Sequence, residues 1–299
     1  YQVYVGTASP YNFNGLVRHY FMRSGPTVAD IQVNLRPKDQ RSLQSHGIAV
    51  RMRPEISKIA EKYGADVAIA EVPPGPPVLA TLVAEVYGSS DEQRVMLAKR
   101  VREIFNSTTG VVDVDWYREA KHNRLVLKVD KEKAALSGLS EGVITRTVQM
   151  AVQGLAVDLL HQPADKEAID IILQLPARQR ARIDSLLNIS LRSASDAQGP
   201  LVPLRELITV TEQPVEQPIY RKNLKPVIYV TGDVAGEVES PVYAIFDMNR
   251  QLAELKASEF GGGEEAIEIF NLNQPFDTSE PSIKWDGEWH ITLEVFRDL

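Results

Sequence analysis

Apolar positions in the first quarter of the chain repeat with two periods, which predict alternating strands and helices. Residues 28–35 alternate between apolar and polar as in a half-buried strand, and residues 39–63 carry apolar positions at helical spacing. Because proline lacks a backbone N–H, a break in this helix is predicted at Pro54. A second strand is predicted at residues 66–72. This pattern has no partner unit before it, so we expect the amino terminus to lie inside a domain.

The segment Pro73-Pro74-Gly75-Pro76-Pro77 interrupts the periodic pattern. Four prolines among five residues fit neither a helix nor the interior of a sheet. We therefore predict a domain boundary at this segment.

Two β-α-β patterns follow this boundary, at residues 78–117 and 226–286. The first helix is predicted to begin after Ser90, because Gln93 three residues later completes a capping box. The second begins at Ser240-Pro241, a cap residue followed by proline at the first helical position. Right-handed crossovers allow two such units to share one sheet with helices on one side. The predicted fold class is therefore α+β, with split β-α-β, ferredoxin-like subdomains.

Residues 155–224 have a different character, with weak helical periodicity and short strand candidates between polar turns. They predict a small β-rich insertion. The predicted domains are a first subdomain at 1–73, incomplete at its N-terminal end, a discontinuous second subdomain at 78–154 and 225–299, and an inserted subdomain at 155–224.

Composition narrows the classes of function. The formal net charge of −7 disfavours binding to phosphate backbones, so no nucleic-acid partner is predicted. The sequence has no cysteine, which excludes disulfides, thiolate metal sites and cysteine nucleophiles. No stretch approaches the ~18 apolar residues of a membrane span, and the first residues lack the basic and apolar regions from which a signal peptide would be predicted.

Catalytic signatures are missing: the sequence has no nucleophile elbow, zinc-protease helix, Walker A loop or dinucleotide fingerprint. The histidines and methionines are dispersed without metal-ligand spacing, so no metal site and no cofactor are predicted. Asp113 and Asp115 lie two apart on a predicted strand, where paired carboxylates could do acid–base work. The solvated face of a half-buried sheet is the favoured interpretation. No catalytic residue is assigned, and the chain is predicted not to be an enzyme.

An aromatic-rich loop occupies the first 27 residues, in which glycine, proline and asparagine interrupt regular structure. Tyr11 and Phe13 stand among asparagine and glycine, where aromatic faces are available to mixed apolar ligands. The alternative is that such aromatics anchor the loop to a core, and this interpretation is favoured for Tyr4, Tyr20 and Phe21.

Several segments, taken in order, carry a family resemblance. They are EVPPGPPV at 71–78, VDKEKA at 129–134 with its continuation to Gly154, the residues Pro203, Leu204 and Leu207, YRKN at 220–223, PVIYV at 226–230, and IKWDGEW at 283–289 running into 295–298. Together they resemble the second large periplasmic loop of resistance-nodulation-division (RND) efflux permeases of the acriflavine-resistance type. Each motif alone is loose, but the match spans nearly the whole chain.

The resemblance implies that 1–73 and 78–154 with 225–299 are porter subdomains, and that 155–224 is a docking subdomain. Such permeases are homotrimers in the inner membrane of Gram-negative bacteria, with these parts on the periplasmic face. They pass substrates to an outer-membrane channel with the help of a periplasmic adaptor. Proton flow through membrane helices drives them, so this chain is expected to handle substrates without transporting them alone.

The resemblance also implies a substrate site. Residues 6–22 resemble the flexible loop between the family's two substrate pockets, and Tyr11 and Phe13 lie where the family carries loop aromatics. Neighbouring residues expected at the pocket are Tyr20, Phe21, Ile31 and Val33. The expected ligands are hydrophobic or amphiphilic small molecules.

Two alternatives to a multidrug or organic-compound exporter stay open. The first is an assembly and adaptor-docking module without its own pocket, which the insertion at 155–224 motivates. The second is the periplasmic part of a heavy-metal exporter, against which the dispersed methionines and histidines count.

Overall fold

The computed structural model describes residues 1–71, 78–161, 166–193, 198–235 and 240–299. Its strands are β1 (Gln2–Val5), β2 (Ala29–Gln32), β3 (Leu82–Tyr87), β4 (Val111–Trp116), β5 (Asn123–Val129), β6 (Leu155–Leu160), β7 (Ile169–Leu173), β8 (Ser190–Leu191), β9 (Val202–Pro203), β10 (Ile208–Pro214), β11 (Arg221–Lys222), β12 (Lys225–Pro226), β13 (Ile228–Val234), β14 (Glu268–Phe270) and β15 (Ser282–Gly287). Its α-helices are α1 (Phe13–Val17), α2 (Ser45–Lys62), α3 (Asp91–Ser107), α4 (Lys131–Leu136), α5 (Glu141–Val152), α6 (Ala177–Arg180), α7 (Ile183–Leu187), α8 (Leu204–Leu207), α9 (Pro241–Leu252) and α10 (Glu288–Asp298). Short 3-10 turns occur at Tyr20–Met22, Lys38–Gln40 and Ala257–Phe260. Two compact units result, Tyr1–Ala120 with Gln217–Leu299, and Lys121–Glu216.

A five-stranded sheet organises the first unit, with strand order β14-β15-β3-β13-β4. The inner pairs β15–β3, β3–β13 and β13–β4 are antiparallel, and β14 joins the β15 edge in parallel. The connections β3-α3-β4 and β13-α9-β15 are the two predicted β-α-β units, which interleave their strands in one sheet. This confirms the α+β, ferredoxin-like fold class.

The main core lies between this sheet and helices α3 and α9. Strand β3 alternates, so that Leu82, Ala84 and Val86 enter this core while Tyr87 joins a second cluster with Tyr117 and Tyr220. Every residue of β3 is buried, because both faces of the sheet are covered at this strand. Strand β3, buried on both faces, is thus the central strand of the sheet around which the first unit packs.

Helix starts follow the predicted caps. The Ser90 hydroxyl accepts from the Gln93 N–H at 3.1 Å, which starts α3 one residue later. Ser240 precedes α9 and Pro241 occupies the first helical position, as predicted, although the cap bond from the Ser240 side chain is not formed.

The first 71 residues depart from four sequence predictions. The first 27 residues, predicted to lack regular structure, contain strand β1 and helix α1. The strand at 28–35 is shorter, as β2 spans Ala29–Gln32 and pairs antiparallel with β1. The predicted break at Pro54 is wrong, since α2 continues through it; the carbonyl of Val50, which loses its helical partner, belongs to an exposed residue and can bind water. Residues 66–71 form no strand: the N–H of Ile69 donates to the Asp113 carboxylate at 3.2 Å instead of to a neighbouring strand.

The second unit begins earlier than the predicted insertion. Strand β5 opens the unit and pairs with β10, which closes it, in an antiparallel ladder from Ile208↔Val129 to Pro214↔Asn123. Helices α4, α5 and α8 enclose its core of Ala134, Leu139, Ile144, Leu204, Leu207 and Ile208. The compact unit is therefore 121–216, whereas the predicted insertion was 155–224. The predicted limits placed α4 and α5 in the discontinuous second subdomain, whereas their buried residues Ala134 and Ile144 belong to this core. The predicted boundary at 73–77 lies outside the described residues.

Candidate functional site

The aromatic loop connects β1 to β2 and closes on a pair of glycines. The Gly6 N–H donates to the Val28 carbonyl at 2.9 Å, and the Gly25 N–H donates to the Gly6 carbonyl at 3.0 Å. Both glycines have positive φ, 79° at Gly6 and 119° at Gly25, which other residues adopt only under strain. The antiparallel β1–β2 ribbon thus ends at Gly6 and Gly25, and residues 7–24 form the loop between them.

Polar side chains order this loop locally. The Asn12 side chain accepts from the Gly15 N–H at 2.8 Å and caps α1, while its amide donates to the Ser9 hydroxyl at 3.0 Å. The Ser9 N–H in turn donates to the Asp30 carboxylate of β2 at 2.9 Å. These bonds involve none of the loop's large apolar side chains.

The predicted loop aromatics are displayed on the surface. Tyr11 is 80% exposed, Phe13 53% and Phe21 44%. The Tyr11 and Phe21 rings lie 5.8 Å apart between centroids, and the His19 ring lies 6.0 Å from Phe21. These distances are typical of interacting aromatic pairs. We call Tyr11, Phe13 and Phe21 the loop aromatics.

The remaining predicted pocket neighbours divide into two kinds. Ile31 and Val33 are 62% and 61% exposed, and Ile31 pairs with Val3 across the β1–β2 ribbon. Tyr20 is half-buried, and burial raises the pKa of its phenol although the charge of Arg18 acts in the opposite direction. Tyr20 therefore fits the anchoring interpretation, whereas Phe21, for which anchoring was also favoured, is exposed beside Tyr11.

Asp113 and Asp115 do not form the expected solvated face. Arg53 binds the buried Asp113 carboxylate, and the guanidinium of Arg23 lies 2.6 Å from the Asp115 carboxylate. Paired in this way, both carboxylates have structural partners and are not arranged as an acid–base pair. Sequence reasoning had no means of finding the second contact, because its partners are 92 residues apart.

A second set of charges lies on the sheet surface of the first unit. The Glu85 carboxylate is fully buried, accepts from the Tyr87 hydroxyl at 2.6 Å and binds Lys222, which also binds Asp286. Burial, with the hydrogen bond to Asp286, raises the pKa of Glu85. Burial alone would also raise the pKa of Asp286, but its hydrogen bonds to Glu85 and Lys222 and the nearby lysine charges lower it to about 2. This network attaches the β11–β12 hairpin to the sheet.

Within the described ranges, no group of three or more histidine, aspartate or glutamate side chains is placed to hold a metal ion. In that same part of the chain, no helix combines the length and apolar character needed to cross a membrane. A surface depression of about 380 Å³ is lined by Ile291, Glu294, Val295, Asp298 and Leu299 of α10, and by none of the loop aromatics.

The fold has a counterpart among solved structures. A chain described as the X-ray crystal structure of a heavy metal efflux pump, crystal form II, aligns with 88% of this chain at a TM-score of 0.51 and 16% identity, and 25% of that chain is covered. At this identity the likeness shows the fold alone. The chain thus shares its fold with part of that pump structure.

A family model gives the more specific assignment. The model of the AcrB/AcrD/AcrF family matches residues 7–260, which is most of the chain. The chain therefore belongs to this family of RND permeases, which are transporters rather than enzymes. This confirms the resemblance found in the sequence motifs.

Two curated relatives share part of the sequence. They are the cobalt-zinc-cadmium resistance protein CzcA of Cupriavidus metallidurans and the cation efflux system protein CzcA of an Alcaligenes species, each 27% identical over 161 residues and 53% of this chain. The aligned part is 15% of the length of each relative. The chain thus spans only a small part of the relatives that it matches.

Proposed function

We propose that this chain is the substrate-contacting and docking portion of an RND efflux transporter, and that its substrates are amphiphilic organic compounds with an aromatic or apolar part. The observation that carries the proposal is the exposure of the loop aromatics. Tyr11 is 80% exposed although it lies in ring contact with Phe21. Aromatic side chains that contribute nothing to a core are available to contact a ligand.

The chemistry of the loop suits ligands of mixed character. Aromatic faces gain free energy from burying apolar area and accept many ring geometries, so they tolerate varied substrates. Asn12 and Ser9 beside them supply amide and hydroxyl groups, which already hold the loop's shape. The exposed Ile31 on β2 and Val33 just after this strand extend the apolar surface available to the same ligand.

Export requires parts beyond this chain. We propose that the full protein is an inner-membrane homotrimer driven by proton flow, with this portion on the periplasmic face, and that it works with a periplasmic adaptor and an outer-membrane channel. These proposals rest on family membership. Within the chain, we propose residues 1–71 and the five-stranded sheet as the porter part and the unit 121–216 as the docking part.

The test is a fluorescence titration of the chain with a panel of amphiphilic dyes. The Tyr11→Ala/Phe13→Ala double variant should weaken binding about tenfold or more, because two exposed aromatic contacts are removed. A matched control is Tyr63→Ala, since Tyr63 is also an exposed tyrosine but follows α2 and is outside the loop. Equal affinity of the wild type and the double variant would contradict the proposal.

A second candidate is export of divalent metal ions, which the names of the two curated relatives favour. Equilibrium dialysis of the chain against cobalt, zinc and cadmium separates the two candidates. Saturable metal binding that the Tyr11→Ala/Phe13→Ala variant leaves unchanged would favour the metal exporter, and dye binding without metal binding would favour the organic exporter.

A third candidate, an assembly and adaptor-docking module without its own pocket, rests on the compactness of the unit 121–216. Capture of an adaptor by the chain, lost when this unit is deleted, together with no dye binding, would favour it.

A further inference from the structure

Two arginines flank the 3-10 turn that carries Phe21. Arg18 ends α1, and its N–H donates to the Asn14 carbonyl at 2.8 Å. Arg23 ends the turn, and its N–H donates to the Tyr20 carbonyl at 3.0 Å. Between them, His19 has φ 53°, a left-handed conformation that reverses the chain. Both side chains contact the five-stranded sheet of the same compact unit.

Arg18 binds the end of β13. Its guanidinium lies 3.1 Å from the Asp233 carboxylate, and both side chains are largely buried. The other oxygen of that carboxylate accepts from the Thr81 N–H at 3.2 Å, beside the start of β3. The Arg18 carbonyl also accepts from the Tyr117 hydroxyl at 2.7 Å. Side chain and backbone of one loop residue are thus both fixed to the sheet unit.

Arg23 binds β4 and the segment after it. Its guanidinium is 2.6 Å from the Asp115 carboxylate and 3.6 Å from the carboxylate of Glu119. It also lies 5.2 Å from the centre of the Tyr117 ring, a cation–π distance. Glu119 is buried and accepts from the Tyr220 hydroxyl at 2.7 Å, so the partner of Arg23 is itself held in place.

Contacts from the loop to the sheet are therefore concentrated in these two arginines, whereas the loop aromatics point to the surface. Charge-assisted bonds between partly buried groups are stronger than exposed ion pairs, and losing one partner leaves a buried charge uncompensated. The ion pairs of Arg18 and Arg23 thus restrain where Tyr11, Phe13 and Phe21 are displayed.

We propose that Arg18 and Arg23 are positioning residues of the substrate loop: they tether it to strands β13 and β4, so that the loop aromatics move with the sheet. This inference deepens the proposed function and rests on it for the identity of the ligand. Through Arg18 and Arg23, a change in the porter sheet would reach the substrate contact, and a change at the substrate contact would reach the sheet. Neither arginine needs to touch the ligand.

The test compares hydrogen exchange and dye affinity in the same variants. The wild type, Arg18→Gln, Arg23→Gln, the double variant and Arg23→Lys are measured, with Arg51→Gln on the exposed side of α2 as the control. Exchange is followed at the loop amides that are hydrogen-bonded, namely Gly15, Leu16, Arg18, Met22 and Arg23, and at the amides of β3.

We expect the double variant to exchange about tenfold faster at the loop amides, with β3 unchanged, because the loop opens without unfolding the sheet. Dye affinity should fall several-fold in the same variant. Arg23→Lys should recover part of both effects, since lysine keeps the charge but not the planar fork. The control should match the wild type.

Unchanged loop exchange in the double variant would overturn the proposal. Faster exchange in the loop and in β3 alike would overturn it too, because it would indicate general destabilisation. Faster exchange confined to the loop supports the tether even if no dye binds the wild type, a result that would contradict the proposed function alone.

Discussion

Strands β3 and β2 belong to the same compact unit and both carry apolar residues, yet these residues have different surroundings. In β3 all side chains are buried, between the helices on one face and the tyrosine cluster on the other. In β2, Ile31 is 62% exposed, and in the loop before it Tyr11 and Phe13 are 80% and 53% exposed. Apolar character alone therefore does not distinguish residues that hold the fold from residues available to contact something else.

Charges differ between the two regions in the same way. Beneath β11–β12, Lys222 joins Glu85 and Asp286 within the sheet surface and holds one hairpin. Beside the loop, Arg18 and Arg23 hold a segment whose own apolar groups make no core. We expect substitutions in the Lys222 network to change the stability of the fold. We expect substitutions in the loop region held by Arg18 and Arg23 to change ligand binding.

The largest stability effect should come from Trp285→Ala. Trp285 is fully buried, stacks on Phe105 with ring centroids 5.8 Å apart, and donates to the Asn249 side chain at 2.8 Å. We expect a loss of about 3–5 kcal/mol in the free energy of unfolding, because a large cavity is left in the core. Urea denaturation measures it. Trp289→Ala, at a partly buried tryptophan, is the control and should cost clearly less.

A smaller effect is expected from Asp286→Asn, and it should depend on pH. The pKa of Asp286 is lowered to about 2 in the folded chain, below its value in the unfolded chain, so its stabilising charge is present above about pH 4 and lost as pH falls towards 2. The wild type should exceed the variant by about 1–2 kcal/mol at pH 5, and this difference should shrink as the pH falls towards 2. Urea unfolding at several pH values measures it. A difference that stays constant with pH would rule out the charge as its cause.

The smallest stability effect should come from Tyr11→Ala/Phe13→Ala. Both side chains are mostly exposed, so the free energy of unfolding should change by no more than about 0.5 kcal/mol. The same urea titration checks this. A loss above about 2 kcal/mol would show that the loop aromatics anchor the fold, and would remove the contrast with β3.

Local patterns were enough to predict four of the five strands of the sheet, but β14 was not predicted. The capping pair Ser90 and Gln93 fixed the start of α3, and two β-α-β patterns predicted the shared sheet. Partners distant in sequence were not predictable. The ladder between β5 and β10 sets the limits of the second unit, and no periodicity reveals which strands will pair.

The site shows the same division. Tyr11 and Phe13 were singled out because asparagine and glycine surround them, although Phe13 begins helix α1. For Phe21 an anchoring role had been favoured. Arg18 and Arg23 were not predicted as site residues. Arg18 and its partner Asp233 are 215 residues apart, and nothing in the sequence distinguishes either from other charged residues. The irregular conformation of residues 66–71 was not predicted either. There the N–H of Ile69 donates to the Asp113 side chain instead of to a neighbouring strand.

Photoaffinity labelling tests the central claim most directly, namely that the loop aromatics contact the substrate. A photoreactive amphiphilic dye that binds the chain is crosslinked, and the labelled tryptic peptides are identified by mass spectrometry. We expect the label to be concentrated in the peptide that ends at Arg18 and contains Tyr11 and Phe13. An excess of unmodified dye should reduce this labelling. Label confined to other peptides, with this peptide unlabelled, would contradict it.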